Sequence, residues 1–206
     1  MRDEILVRQA APTLSGIKSG SLFPCPLESR RQLLSDIRCR NRILRPNGLR
    51  LLPLRVSRST VLLYLYRPSL LARDLSAGAC VRLLARQGYP VSGGPLCCLA
   101  HLTRKLRQGG PFPHEIGLFL GYPPEDVQGF LDHHADGYQY AGLWKVYGNV
   151  TAAKARFRRY RACTSRLCRR FRLGAGLESL AQPDYTREIR QSSDSAGSSS
   201  RASSSS

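Results

Sequence analysis

The run Phe112-Pro-His-Glu-Ile-Gly-Leu-Phe-Leu-Gly-Tyr-Pro-Pro-Glu-Asp-Val-Gln-Gly-Phe130, followed closely by Gly142-Leu-Trp-Lys-Val-Tyr147, decides the fold. Pro113 suits the first position of a helix, where its fixed φ helps and its missing N–H costs nothing. Gly121 suits the stop, because glycine enters the left-handed region without steric cost. The next prolines open a second helix, and Trp144 to Tyr147 has the aromatic and β-branched character of a strand. Helices and a strand this close together point to a mixed α+β chain.

Outward from that block, Thr151 to Arg172 reads as one helix, with Asn149 as its cap. Ala153, Phe157, Tyr160, Thr164, Leu167, Cys168 and Phe171 share one narrow arc of it, which leaves Cys163 outside. Upstream, Leu27 to Leu44 repeats apolar residues at helical spacing and stops at Arg45-Pro46-Asn47-Gly48. Leu49 to Leu54 and Thr60 to Tyr66 read as a strand pair joined by a short polar turn. Ser69 to Leu75, Ala79 to Gln87 and Pro95 to Arg107 read as helices divided by glycine and proline. The order predicts an α+β domain over residues 1–180, with a small, mainly antiparallel sheet of about three strands and six to eight helices. Trp144 to Tyr147 is the expected third strand. Residues 181–206 are serine-rich, above all from Gln191 to Ser206, and predict a disordered tail, because they offer too little apolar surface to offset ordering entropy.

The chain has 206 residues, is 42% hydrophobic and carries a formal charge of +18. No apolar run is long enough for a membrane span, and the first ten residues lack the apolar stretch of a secretory signal, so a cytoplasmic location is expected. Seven cysteines form no Cys-x-x-Cys motif and no even framework, which predicts free thiols. No histidine pairing has metal-site spacing, so no metal is expected, and no cofactor motif is present. The charge invites an anionic partner, with Arg156, Arg158, Arg159, Arg166 and Arg169 on the basic helix as the candidate nucleic-acid face. Charge alone supports that reading, and the default for such a face is solvation.

Chemistry concentrates at His114 and Glu115, in the first turn of a helix beside unpaired N–H groups. A glutamate is favoured there by the helix dipole, and a histidine there tends to stay neutral and able to accept a proton. These two are the candidate catalytic pair. The plainer alternative is that Glu115 caps the helix and His114 bonds a loop. His134 shares a face with Val127, Phe130 and Leu131 and is expected to pack inward.

Ala11-Pro-Thr-Leu-Ser-Gly-Ile-Lys18, Ser21-Leu-Phe23, Tyr64-Leu-Tyr66-Arg-Pro68, Gly88-Tyr89, the Phe112 to Pro123 block, Glu125-Asp-Val127 and Trp144-Lys-Val-Tyr147 occur in this order. Over about residues 5 to 180 the chain thereby resembles the bacterial family called domain of unknown function 3793. The resemblance brings kinship and no established activity. In that family a cysteine often stands where this chain has Ala10, so a Cys/His pair with His114 would lack its nucleophile here unless Cys25 replaced it. Thr13, Lys18, Trp144 and Tyr147 fall in the family-like blocks at segment ends and are the candidate ligand-binding residues. Two readings lead: a non-catalytic protein binding a small ligand or a partner near His114 and Glu115, or a histidine- or thiol-dependent enzyme with His114 as base.

Overall fold

The computed structural model describes residues 2–134 and 136–183. The expected serine-rich tail therefore lies almost wholly outside the described residues. Three strands, β1 (Gly20–Pro26), β2 (Arg50–Val56) and β3 (Thr60–Tyr66), form an antiparallel sheet in the order β1-β3-β2. Around it stand α1 (Asp3–Leu14), α2 (Arg30–Leu44), α3 (Pro68–Leu75), α4 (Gly78–Arg86), α5 (Gly94–Gln108), α6 (Ile116–Phe119), α7 (Pro124–His133), α8 (Val150–Arg172) and α9 (Leu177–Leu180). A separate ribbon pairs β4 (Tyr140–Ala141) with β5 (Lys145–Val146).

The third strand of the sheet is thus β1 and not Trp144 to Tyr147. Pro24 and Pro26 make β1 a poor strand in local terms. They are tolerated because β1 is an edge, where a missing N–H breaks no second ladder. Residues 145–146 pair with their own sequence neighbours instead, Tyr140 opposite Val146 and Ala141 opposite Lys145.

Strand β3 is central and apolar on both faces, which explains its unbroken Val-Leu-Leu-Tyr-Leu-Tyr run. Val61, Leu63 and Leu65 face one helical layer, with Leu6, Val7 and Leu14 of α1, Ile37 of α2 and Leu167 of α8. Tyr64 and Tyr66 face the other, with Leu71, Leu84, Leu102 and Phe119. Helices on both sides of a three-stranded sheet are the resulting architecture. The outer edge of β2 is closed by a side chain: Asn41 Nδ2 donates to the Leu51 carbonyl at 2.9 Å and its Oδ1 accepts from Leu51 N at 3.0 Å.

Gly20 is needed where β1 passes α6. A Cβ there would sit 2.5 Å from the Phe119 carbonyl oxygen and 2.5 Å from Tyr64 Oη. Those two atoms cannot give way freely, because Tyr64 Oη donates to that carbonyl at 2.6 Å and ties the sheet to α6.

The loop after α1 is held by Arg67, a buried side chain at the end of β3. Its Nε donates to the Thr13 carbonyl at 2.9 Å, Nη1 to the Asn47 carbonyl at 2.7 Å, and Nη2 to the Leu14 and Ala181 carbonyls. One guanidinium therefore ties the end of α1, the turn before β2 and the end of α9 to the sheet. The packed chain continues past residue 180, since Ala181 is fully buried.

Helix α8 runs as expected, with the Asn149 side chain accepting from Ala152 N at 2.9 Å. Cys163, expected outside the apolar stripe, is buried: α1 packs along that flank, and Cys163 Sγ lies 2.9 Å from Ser15 Oγ. His134, expected to pack inward, caps α7 in the left-handed region at φ 46° and is exposed. All seven cysteines are free. Among the described residues no helix is long and apolar enough to cross a membrane.

Candidate functional site

The loop between α1 and β1 carries Lys18 into a cleft of about 550 Å³. Its walls come from the α3–α4 junction (Arg73, Asp74, Cys80), the Gly121 to Glu125 turn and the first half of α8 (Arg156, Arg159, Tyr160). Lys18 Nζ lies 5.4 Å from the centre of the Tyr122 ring and 6.0 Å from that of Tyr160. Among the described residues no carboxylate comes within 4.0 Å of Lys18, whereas Arg73 and Asp74 pair at 2.8 Å. That pair cancels within the cleft, leaving Lys18, Arg156 and Arg159 against Glu125, a positive balance. Beside them the Ser19 hydroxyl is buried and has no hydrogen-bond partner among the described residues. Gly121, at φ +71°, covers it so closely that a Cβ would sit 2.6 Å from Ser19 Oγ.

Burial sets the protonation states here. Desolvation lowers the Lys18 pKa from 10.5 to about 8. It raises that of Cys80 to about 11 and pushes the Tyr122 and Tyr160 phenols up as well. Around neutral pH the thiol and phenols are thus proton donors, and the lysine sheds its proton more readily than any solvated lysine.

The depressed Lys18 pKa has a stability consequence with a definite sign. Below about pH 8 the fold must hold an ammonium that the unfolded chain would hydrate, so the ammonium costs stability there. Between about 8 and 10.5 the native state sheds this proton before the unfolded state does, and the cost fades. Lys18→Met should therefore be more stable than the parent at pH 7, with the gap narrowing as pH rises to 10. Urea unfolding of both proteins across that range checks it; a constant gap would mean that the amine is solvated.

His114 occupies a second, apolar hollow of about 270 Å³ with Phe112, Phe130, Leu143 and Trp144. Its ring lies 4.7 Å from that of Phe130 and 5.8 Å from that of Phe112. Tyr122 lines both hollows, and its ring stacks on Trp144 at 4.5 Å. Trp144 is fixed in turn by Asp126, whose Oδ2 accepts from the indole N–H at 2.7 Å.

The other sequence candidates separate. Glu115 precedes α6 without capping it, because its side chain turns inward, accepts from Tyr89 Oη at 2.9 Å and pairs with Lys105. It is buried and does not line the His114 hollow. Thr13 is fully buried, its hydroxyl 2.8 Å from Ser21 Oγ. The Tyr147 ring packs against Gly129 and 6.0 Å from that of His133. Arg156 and Arg159 line the Lys18 cleft, while Arg158, Arg166 and Arg169 stand exposed along α8. Cys25 lies under another hollow, formed with Arg2, Glu4, Ile5, Arg8, Pro26 and Glu28. Among the described residues no three His, Cys, Asp or Glu side chains gather as metal ligands.

Ser19, Arg73, Tyr122 and Tyr160 were not legible as site residues. Tyr160 reads as core from its place in the α8 stripe, and only the approach of the Lys18 loop makes it a cleft wall. One signal was available: lysine occurs at only four positions among 32 basic residues, and Lys18 is one of them.

No curated protein matches the chain, and no solved structure matches it. A family model described as a protein of unknown function (DUF3793) matches residues 6–181, so nearly the whole packed region carries the family pattern and the chain belongs to the DUF3793 family.

Proposed function

We propose that this protein binds a small anionic ligand, with Lys18, Arg156 and Arg159 as the cationic groups that hold it. The observation that carries the reading is a half-buried lysine with no carboxylate within 4.0 Å beside a buried hydroxyl with no partner among the described residues, both on one cleft. Buried charges and buried hydroxyls are ordinarily satisfied within a fold. An anion with further acceptor oxygens, such as a phosphate or carboxylate, would satisfy both. The tyrosines, held protonated by burial, offer additional donors or an apolar wall. The aromatic hollow of His114 and Trp144, across Tyr122, supports a role in the same ligand-binding region. Glu115 contributes to it only by holding the segment in place.

The reading with His114 as base to a cysteine has less support, because none of the residues around Cys25 lines the His114 hollow. Burial also raises the Cys25 thiol pKa and keeps the sulfur protonated. Nucleic-acid binding rests on Arg158, Arg166 and Arg169 as an exposed charged face and has no further support.

Isothermal titration with orthophosphate and small carboxylates tests the proposal. Binding should be measurable at pH 7, fall with added salt, and weaken above pH 8 as the Lys18 ammonium of the unliganded protein loses its proton. Lys18→Met, or Arg156→Ala with Arg159→Ala, should weaken it about tenfold to a hundredfold, the value of a charge-assisted hydrogen bond. Unchanged affinity in either variant, or no anion bound at all, overturns the reading.

A further inference from the structure

We propose that Lys18 is a covalent carbonyl-capturing residue, whose amine condenses with the aldehyde or ketone of an anionic carbonyl compound, a 2-oxo acid or a phosphorylated aldehyde. The inference rests on the anion-binding reading above and names the class of ligand it serves. Its first support is residue choice. The chain places arginine at nearly every basic position and lysine at four: Lys18, Lys105, Lys145 and Lys154. A guanidinium would bind an anion as well or better, yet it cannot lose its proton to become a nucleophile, whereas an amine can.

The second support is placement. Lys105 is paired with Glu115, and Lys145 and Lys154 lie 4.6 Å from the centres of the Tyr138 and Tyr140 rings in the β4–β5 region. Lys18 alone of the four lines a cleft that also holds two arginines able to anchor an anionic group. The competing nucleophile of the cleft, Cys80, is kept as thiol by burial, while the same desolvation lowers the Lys18 pKa to about 8, so that a minor fraction is already the neutral nucleophile near neutral pH and the major part above pH 8.

The third support is the presence of proton carriers. Formation of the adduct requires the neutral Nζ to attack the carbonyl carbon, forming an N–C bond while the C=O π pair moves to oxygen. One nitrogen-bound proton passes to that oxygen and gives a carbinolamine. A second proton on the oxygen lets the C–O bond break with loss of water, and the nitrogen lone pair forms the protonated imine. The balance is ammonium plus carbonyl giving iminium plus water, with no oxidant or reductant. Glu125, Asp74 and the Tyr160 phenol line the same cleft and can relay these protons.

The test incubates the full chain with pyridoxal 5′-phosphate, reduces with borohydride, and maps the adduct by peptide mass spectrometry. The remaining three lysines serve as internal controls, and phosphate binding is measured in parallel by titration. The expected result is modification of Lys18 at least tenfold above each other lysine, with competition by glyoxylate. Lys18→Arg, shown folded by circular dichroism, should lose that adduct and leave labelling elsewhere as it was. Equal labelling of all four lysines, or labelling that avoids Lys18, overturns the inference. If phosphate still binds in that case, the anion reading stands without it; if phosphate also fails to bind, both fall.

Discussion

Arg67→Met should cost the fold about 4 kcal/mol, the largest loss expected from any single substitution away from the apolar core. Methionine keeps much of the apolar stem and removes the guanidinium. The carbonyls of Thr13, Leu14, Asn47 and Ala181 then lose the donor that three separate elements share. Each buried carbonyl left unpaired costs on the order of 1–3 kcal/mol, reduced where water reaches it. Two of the four are terminal carbonyls of α1 at its negative end; that of Thr13 keeps the Gly16 N–H at 3.2 Å, so the loss there is partial. Arg67→Lys should recover less than half of the loss, because an ammonium on one stem cannot span carbonyls that a planar fork reaches in several directions. Urea denaturation gives the free energy, and the melting temperature should fall by about 10 °C. A loss below about 1 kcal/mol would show that solvent satisfies those carbonyls. The same variant bears on function, since Arg67 N donates to the Ser19 carbonyl and the side chain fixes the loop carrying Lys18. Anion affinity should weaken alongside stability.

Local signals recovered the elements whose reasons are local. The β2–β3 hairpin, the helices from α2 to α5 and the Asn149 start of α8 each carry their own pattern and punctuation. The expectation failed for β1, where Pro24 and Pro26 contradict strand propensity and only the edge position excuses them. His134 and Cys163 went astray for a related reason: a left-handed cap turned one out of its apolar face, and the packing of α1 drew the other in. Of the site, Lys18, Arg156 and Arg159 were named, but for separate roles, because nothing local says that the loop after α1 meets the first half of α8. The adjacency of His114 and Glu115 suggested a working pair. In the fold the turn before α6 sends them to different surroundings, one among phenylalanine rings and the other to Tyr89 and Lys105.

Asp126→Asn should cost about 3 kcal/mol although it changes a single atom, because the carboxylate accepts from three N–H groups at once. Oδ1 takes Tyr147 N and Gly148 N, both at 2.9 Å, and Oδ2 takes Trp144 Nε1 at 2.7 Å. An amide has one acceptor oxygen. If that oxygen stays with the two backbone donors, the new NH₂ faces the indole N–H, donor against donor, in a site where Asp126 is only 3% exposed. If the amide flips, the indole is satisfied and the two backbone N–H groups are not. Either way the β4–β5 ribbon loses its clasp on α7, and Trp144 loses the contact that holds it against Tyr122 and at the edge of Phe157. Trp144 is the only tryptophan of the chain, so its emission reports this site without interference. A red shift in the folded variant, with a lowered urea midpoint, is the expected pair of results. An unshifted spectrum at parental stability would mean that water or backbone rearrangement replaces the carboxylate. Because Tyr122 and Trp144 also wall the His114 hollow and Tyr122 faces Lys18, a loosened ribbon should soften both hollows together, which separates their shared wall from the residues that touch the ligand itself.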